Sequence, residues 1–234
     1  MAPSLFFPEA IPSEPAIIML LYKHFYFYIS AYFLKNNYDS KRSGKMNPVL
    51  EAIKKRRSVR SYESKPIPRD VINTIIQAGN EAPSAMNSQP WRFVVVEDKK
   101  TKNKLVLSAL PNARKIVEMI KEVHPERYEM IMKRYDEIED PVYYSAPAIV
   151  FVIGSGRYAD HSCPLACENM MLAAYSLGLG SCWVGFGAMV TNDEEIRNIL
   201  ELKEDETIFG PIILGYPKSY PEQPPKKEPK VKWI

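Results

Sequence analysis

The sequence predicts an α+β fold, in which a few strands are combined with more numerous helices. Two short runs, RFVVVE and APAIVFVIG, have the β-branched composition of strands, and the second is apolar enough to be buried on both faces. Several longer segments repeat apolar residues with the spacing of a helix. Because strands and helices do not alternate strictly, the order argues against a doubly wound parallel sheet.

The first helix is predicted to begin at Asn47, which is a good N-cap, with Pro48 in the first helical position. The cations of Lys54 to Arg57 would occupy its last turn, where positive charge suits the helix dipole. Its buried face is expected to consist of Val49, Leu50 and Ile53.

The remaining elements follow from apolar spacing and from turn residues. The second helix carries Val71, Ile72, Ile75 and Ile76 on one face and should end near Gly79. Further helices are expected at residues 99–110, within 111–144 with a break near Pro125, at 165–177 with Gly178 as C-cap, and from Thr191 or Asn192. Strands are expected at residues 92–97 and 146–154 and in the runs SCWVGFG and TIFGPIILGY.

Composition narrows the class of protein. Apolar residues make up 46% of the 234-residue chain and charged residues 25%, as in ordinary globular proteins. The net charge of +3 is too small to predict a nucleic-acid partner, and the three histidines are too dispersed for a metal site. An odd number of cysteines favours a reducing, cytoplasmic compartment, with all three as packing residues. They are Cys163, Cys167 and Cys182.

Residues 1–45 differ in composition from the rest. The apolar span from Ala16 to Leu34 approaches the length of a membrane helix, but Lys23 and His24 interrupt it, and we expect no membrane partner. A membrane anchor, an ordered helical appendage, and a loose tail or start-site artefact before Met46 all stay open. Residues 46–234 would then form the folded domain, with a lid-like helical region at 111–144 and an extended arm at 217–234.

The run RRSVR is the first candidate site. Arg56 and Arg57 at a helix end can bind a phosphate with their planar guanidinium groups, and Ser58 can donate a hydroxyl hydrogen bond to it. Arg60 follows two residues later on an extended segment and should point to the same side as Ser58. The alternative, which the run by itself favours, is a solvated basic turn.

Two further segments are candidates. In APSAMNSQPW, the small residues allow close backbone approach to a flat ligand, and the amides can pair with a heterocycle; a capped turn is the alternative. These residues are Pro83, Ser84, Ala85, Asn87 and Gln89. In the C-terminal PPKKEPK, Lys226 and Lys227 could bind an anion or only keep the tail soluble. The glycines of GLGSCW follow a helix, which is the wrong context for a dinucleotide loop.

Taken in order, these motifs resemble the nitroreductase family of FMN-dependent oxidoreductases. The pattern consists of RRSVR, PSAMNSQPW entering a strand, ENMMLAAYSLGLGSCW, and LGYP followed by basic residues, and it covers residues 46 to about 227. The resemblance implies a mixed central sheet flanked by helices, in an intertwined homodimer whose C-terminal arms are exchanged. Residues 1–45 have no counterpart in the pattern.

The resemblance also implies roles for the site residues. Arg56, Arg57 and Ser58 would hold the FMN phosphate and ribityl end, helped by Lys226 or Lys227. Arg60 would lie near the pyrimidine edge of the flavin, and Val184 and Gly185 would pass its N5 atom with a backbone N–H. The residues Pro83, Ser84, Ala85 and Asn87 would reach the flavin from the partner subunit.

The implied activity is transfer of a hydride from NAD(P)H to FMN, followed by reduction of a nitroaromatic, a quinone or a similar small acceptor in a ping-pong mechanism. Flavin fragmentation, reductive dehalogenation and an FMN carrier without turnover stay open as alternatives. Residues of the 111–144 region could contact the acceptor, although a surface helix pair is the favoured interpretation. Those residues are His124, Arg127, Tyr128, Arg134 and Tyr135.

Overall fold

The computed structural model describes residues 46–234. Its contacts divide the chain into residues 1–51, of which only the last six are described, and a compact unit of residues 52–234. The expectations for residues 1–45, including the membrane alternatives for Ala16–Leu34, therefore lie outside the described residues. Within residues 46–234, no helix combines the length and the apolar character needed to span a bilayer.

A five-stranded antiparallel sheet forms the centre of the larger unit. The strands are β1 (Trp91–Val96), β2 (Ala148–Ser155), β3 (Gly180–Trp183), β4 (Glu206–Ile208) and β5 (Ile212–Gly215). Their order is β1-β2-β5-β3, and β4 also pairs with β2, next to the segment that pairs with β5. All strand ladders are antiparallel, and the one parallel element recorded in the described chain is an isolated bridge between Ser58 and Ser181.

The central strand β2 is buried on both faces, as its continuous apolar run predicts. Ile149, Phe151 and Ile153 contribute to one apolar cluster, whereas Val150 and Val152 contribute to the cluster on the opposite face. This division follows from the alternation of side chains along a strand. Because helices supply side chains to both clusters, the sheet is the middle layer of an α+β sandwich.

Six α-helices are described. They are α1 (Pro48–Lys55), α2 (Arg69–Asn80), α3 (Lys99–Met119), α4 (Pro125–Glu137), α5 (Ala159–Ser176) and α6 (Glu194–Ile199). Helix α3 passes through Pro111, so the expected end near residue 110 is wrong. Ala109 and Ala113 are fully buried on either side of this proline, and their packing outweighs its preference for a helix start. The lid-like region thus begins inside a continuous helix.

Helix α1 begins as predicted but does not bury the predicted face. The Asn47 side chain accepts a hydrogen bond from the Val49 N–H at 2.9 Å, which is an N-cap contact. The side chains expected to be buried are instead 54–62% exposed, which corrects the prediction for the single chain; they are Val49, Leu50 and Ile53. Periodicity identifies an apolar stripe but does not identify the surface that would cover it.

The remaining expectations concern α5 and the C-terminal arm. Gly178 follows α5 with a φ of +76°, which confirms it as the glycine that ends this helix. The cysteines are free and buried, as expected of packing residues; they are Cys163, Cys167 and Cys182. Residues 219–234 are exposed and contain neither helix nor strand, in agreement with an extended arm. Exchange of this arm between subunits stays a prediction.

Candidate functional site

Two candidate segments of the sequence meet at strand β3. Ser58 pairs with Ser181 in the parallel bridge, and the Val59 N–H donates a hydrogen bond to the Ser181 carbonyl at 3.0 Å. Val59 is fully buried, and a Cβ added to Gly180 would lie only 2.8 Å from its side chain. The absence of a side chain at Gly180 therefore allows residues 58–60 to lie directly against β3.

A cavity of about 410 Å³ opens beside this junction. Its walls include Arg60, Tyr144, Trp183, Val184, Gly185 and Phe186. A Cβ built on Gly185 would meet no atom within 4 Å, so the backbone there borders open space. The structure thus brings three of the predicted site residues, Arg60, Val184 and Gly185, to one cavity.

Among the described residues that line the cavity, Arg60 carries a positive charge, and a backbone edge lies at residues 184–185. The guanidinium carbon of Arg60 lies 5.8 Å from the centre of the Tyr144 ring, and its Nη1 donates to the Ser58 carbonyl at 3.3 Å. The Val184 N–H is bonded to the Pro211 carbonyl at 3.0 Å. The Val184 N–H is therefore already used in the fold. Of the predicted pair Val184 and Gly185, the glycine is the better candidate for a backbone contact with a ligand.

The predicted phosphate ligands lie at the end of α1. Arg56 is 25% exposed, and its Nε is 3.7 Å from Oε1 of Glu168 on α5, which is too far for a hydrogen bond; its guanidinium has no hydrogen bond to another described residue. Arg57 instead donates Nη1 to the carbonyls of Lys54 and Arg56, at 2.8 and 2.6 Å. In the single chain, Arg56 is therefore the better placed of the two arginines to bind an anion.

Serine hydroxyls add donors next to these arginines. Residues paired in a bridge project to the same face, so the side chains of Ser58 and Ser181 are neighbours. The Ser181 Oγ is buried and has no hydrogen-bond partner within the described chain. A buried hydroxyl without a partner is uncommon. Together with Arg56, this pair has the donor chemistry that a phosphate or a polyol requires, so the residues present fit an FMN tail.

The loop of Pro83–Asn87 is ordered by its own polar groups. The Gln89 N–H donates to the Ser84 Oγ at 3.0 Å, the Ala85 N–H approaches the Ser162 Oγ at 3.5 Å, and Asn87 adopts a φ of +54°. The side chains of Pro83 and Asn87 are exposed. The loop does not line the cavity of its own chain, so its predicted contact with a flavin requires the site of a second subunit.

The lysines of the arm and most of the lid candidates also lie away from this cavity. Lys226 and Lys227 are exposed, and no hydrogen bond joins either lysine to residues 56–58 within the described chain. His124 and Arg127 are exposed, and the Tyr128 hydroxyl donates to Glu118 of α3 at 2.8 Å. The side chain of Arg134 lies outside the described part of the structure.

Tyr135 of α4 differs from the other lid candidates. It is only 6% exposed, and its hydroxyl has no partner in the described chain. Burial raises the pKa of this phenol to about 12, and the neighbouring Tyr144 contributes in the same direction. Tyr135 therefore remains a protonated hydrogen-bond donor in the interior of the protein, in the neighbourhood of Tyr144.

Sequence reasoning missed several aromatic walls of the cavity, above all Tyr144, Trp183 and Phe186. The last two flank Val184–Gly185, and their place beside the predicted backbone edge is the signal that could have identified them. Tyr144 carries no such signal, because neither periodicity nor residue type indicates that a tyrosine will adopt a positive φ.

A model of the nitroreductase family matches residues 53–216 of this chain. A Methanothermobacter thermautotrophicus protein with the provisional name NADH dehydrogenase/NAD(P)H nitroreductase is 33% identical over 179 residues, which are 74% of this chain and 79% of the relative. An iodotyrosine deiodinase of Thermotoga neapolitana is 27% identical over 79% of this chain and 95% of its own length.

The fold has a solved counterpart. A nitroreductase from Bacteroides fragilis, crystallised with bound FMN, superposes with a TM-score of 0.63 at 31% sequence identity. The superposition covers 81% of this chain and all of that structure.

Proposed function

Since this chain belongs to the nitroreductase family, we propose that it is an FMN-dependent oxidoreductase that uses NAD(P)H to reduce a small acceptor such as a nitroaromatic or a quinone. The observation that carries the proposal is the cavity in which the cation of Arg60 and the open backbone edge at Gly185 lie together. Support comes from the relative named for NADH and NAD(P)H chemistry and from the FMN-bound neighbour, both above 30% identity.

Arg56 and Ser58 are the residues suited to bind the phosphate and the ribityl chain. A guanidinium with unsaturated hydrogen bonds can form charge-assisted contacts with a phosphate, and these are among the strongest hydrogen bonds in proteins. Arg57 can join them if its contacts to backbone carbonyls are exchanged, and the arm can add Lys226 or Lys227. When bound, FMN supplies a ring that accepts a hydride from NAD(P)H and returns the electrons to an acceptor.

Arg60 and Gly185 would orient the ring and tune its chemistry. A fixed cation at the cavity wall stabilises negative charge that develops nearby, because the low dielectric strengthens the interaction and the charge needs no reorganisation. The bare backbone at Gly185 permits a flat ring to approach where a side chain would intervene. NAD(P)H and the acceptor would occupy the remaining space in turn, which makes the mechanism ping-pong.

The proposal includes a homodimer. The residues of the Pro83–Asn87 loop are exposed or half-buried and lie outside the cavity of their own chain, which suits a role in the site of a partner. The apolar face of α1 is exposed in the single chain, as expected of a helix that is covered on association; its residues are Val49, Leu50 and Ile53. A cytoplasmic location is also proposed and is supported by the three free cysteines.

An absorbance spectrum followed by anaerobic addition of NADPH and of NADH tests this function. We expect about one FMN per protomer and rapid bleaching of the flavin bands by at least one donor. Oxidation by a nitroaromatic or a quinone should then restore the bands. A protein that cannot be loaded with FMN would contradict the proposal, and tight flavin binding without reduction would favour an FMN carrier.

Reductive dehalogenation is the second candidate, because a relative named iodotyrosine deiodinase matches 79% of this chain. It predicts that the chemically reduced holoenzyme releases iodide from 3-iodotyrosine, while NAD(P)H reduces the flavin slowly. Rapid reduction by NAD(P)H without iodide release would exclude it.

A further inference from the structure

We propose that Trp183 is a flavin-binding residue, whose indole packs against the isoalloxazine ring of FMN and favours the oxidised form of that ring. The inference rests on the proposed function, since it adds a residue to the same cofactor site. It assigns a role to a side chain for which the sequence predicted none.

Residues 58–60 and strand β3 together present one face that points away from the core. The two segments lie side by side, joined by the parallel bridge between Ser58 and Ser181. Side chains alternate along an extended chain, so every second residue points the same way. One set is buried in the apolar cluster on one side of the sheet; it consists of Val59, Cys182 and Val184. The other set projects to the opposite face, here called the cofactor face; it consists of Ser58, Arg60, Ser181 and Trp183.

Trp183 is fixed at its backbone and open at its ring. It pairs with Ile212 in the ladder between β3 and β5, and the next residue, Val184, is bonded to the Pro211 carbonyl. The indole lines the cavity, is 37% exposed, and makes no hydrogen bond or ring contact with another described residue. A single exposed apolar side chain is ordinary in itself. It is the position of this one in the cavity wall, on a rigid strand, that indicates a ligand contact.

The position of Trp183 along the strand places it between the two ends of the proposed cofactor site. The chain is extended through β3 and through Val184, and it runs from Ser181 to Gly185. Four residues of extended chain span roughly 13 Å, and Trp183 lies midway. A ligand with its polyol at Ser58 and Ser181 and its ring against Gly185 therefore passes over position 183.

The chemistry of the indole gives this contact a direction. Aromatic rings attract one another in offset or edge-on arrangements, through their quadrupoles and their buried area. The oxidised flavin ring is electron-poor and the indole is electron-rich, whereas the reduced ring is itself electron-rich. Trp183 is therefore expected to stabilise oxidised FMN more than reduced FMN. Arg60, on the same face, acts in the opposite direction, because its cation stabilises negative charge that develops on reduction.

Two measurements on substituted proteins test the proposal. They are equilibrium titration of the FMN-free protein with FMN, and the midpoint potential of the FMN-loaded protein against a redox dye. Trp183→Leu is expected to raise the Kd of oxidised FMN ~3- to 10-fold, as for the loss of one aromatic pair. It should also raise the midpoint potential, because the reduced form loses less. Trp183→Phe keeps a ring and should lie between wild type and Trp183→Leu in both quantities.

Tyr158→Leu is the matched control. Tyr158 is also an aromatic residue that is 37% exposed, but it does not line the cavity. Its replacement should leave the Kd and the midpoint potential at their wild-type values.

Fluorine NMR of the wild-type chain labelled with 5-fluorotryptophan is a third measurement, which needs no destabilising substitution. The chain contains three tryptophans. Trp91 is buried with its N–H bonded to Asn80 at 3.0 Å, and Trp233 is 91% exposed near the end of the arm. The resonance of Trp183 is identified by its loss in Trp183→Phe. We expect it to shift more than the other two when FMN binds, because the ring current of the flavin acts only on close neighbours.

Each result decides the inference. An unchanged Kd or an unchanged midpoint potential in Trp183→Leu, or a Trp183 resonance that stays in place when FMN binds, would overturn it and leave the proposed function intact. A wild-type chain that cannot bind FMN would overturn both. If Trp183→Leu fails to fold, as judged by thermal unfolding, the fluorine resonance of Trp183 decides.

Discussion

Replacement of Glu206 by glutamine is expected to destabilise the fold in a pH-dependent way. The carboxylate is only 8% exposed and accepts two hydrogen bonds from Arg92, from Nε and Nη2, each at 2.7 Å. The Lys203 N–H donates to it at 3.0 Å. These contacts, with the Arg92 hydrogen bonds as the main cause, lower the pKa of Glu206 from 4.5 to about 2.

The magnitude follows from this pKa. A tenfold change in an acid constant corresponds to ~1.4 kcal/mol, so the interval from 4.5 to about 2 corresponds to ~3 kcal/mol of folding free energy. Arg92 is 32% exposed, and solvent screening reduces the expected loss for Glu206→Gln to ~2 kcal/mol. Because the folded-state pKa is the lower one, this stability is present above pH ~4.5 and is lost as the pH falls towards ~2.

Urea unfolding of wild type and Glu206→Gln, at equal protein concentration and at about pH 7 and about pH 4, measures this contribution. The difference between the two proteins should shrink by ~0.8 kcal/mol at the lower pH. Glu195→Gln is the control, since its ion pair with Lys104 joins two exposed side chains and should contribute less than ~1 kcal/mol. A Glu206→Gln protein as stable as the control at neutral pH, or a difference that does not vary with pH, would refute the reasoning.

Three other predictions concern the site. Gly180→Ala should destabilise the protein by ~1–3 kcal/mol, because the new Cβ would lie 2.8 Å from Val59; an unchanged urea midpoint would contradict this close packing. Arg56→Ala should weaken FMN binding ~10-fold or more in an equilibrium titration, since a charge-assisted hydrogen bond is lost. Arg69→Ala is the control and should leave FMN binding unchanged, and equal affinities of the two variants would argue against Arg56 as a phosphate ligand. Asn87→Ala should speed FMN release on dilution or slow flavin reduction at unchanged thermal stability, and no change in either would assign its loop a structural role.

The fold was largely predictable because its determinants are local. The continuous apolar run of β2, the periodic face of α2 and the glycine that ends α5 each depend on neighbouring residues, and each of these features is found where it was expected. Helix α5 itself begins at Ala159, six residues before its expected start. The exceptions depend on distant contacts. Pro111 lies inside a helix because residues on both sides of it are buried by packing, and the apolar stripe of α1 is exposed because its spacing contains no information about a partner surface.

The sequence predicted the motif residues of the candidate site but did not predict the aromatic residues that form the walls of its cavity. Arg60 lies at the same cavity as Val184 and Gly185, although it precedes them by more than 120 positions, and the ordered set of motifs is what related them. The sequence could not distinguish the two adjacent arginines, because the guanidinium of Arg57 is bound to backbone carbonyls whose positions depend on the fold. The position of Tyr144 depends on the Asp140 carboxylate, which accepts hydrogen bonds from three backbone N–H groups within residues 142–145, and no spacing rule includes these contacts.

The adjacent tyrosines 143 and 144 lie in different surroundings. Tyr143 is buried in the core and its hydroxyl donates to the Gly187 carbonyl, whereas the ring of Tyr144 borders the cavity. Gly187 belongs to the turn of residues 185–188, and Gly185 and Phe186 of this turn also border the cavity. The packing of the core and the shape of the cavity are therefore expected to change together, so a substitution at Tyr143 would alter the site although its side chain does not line it.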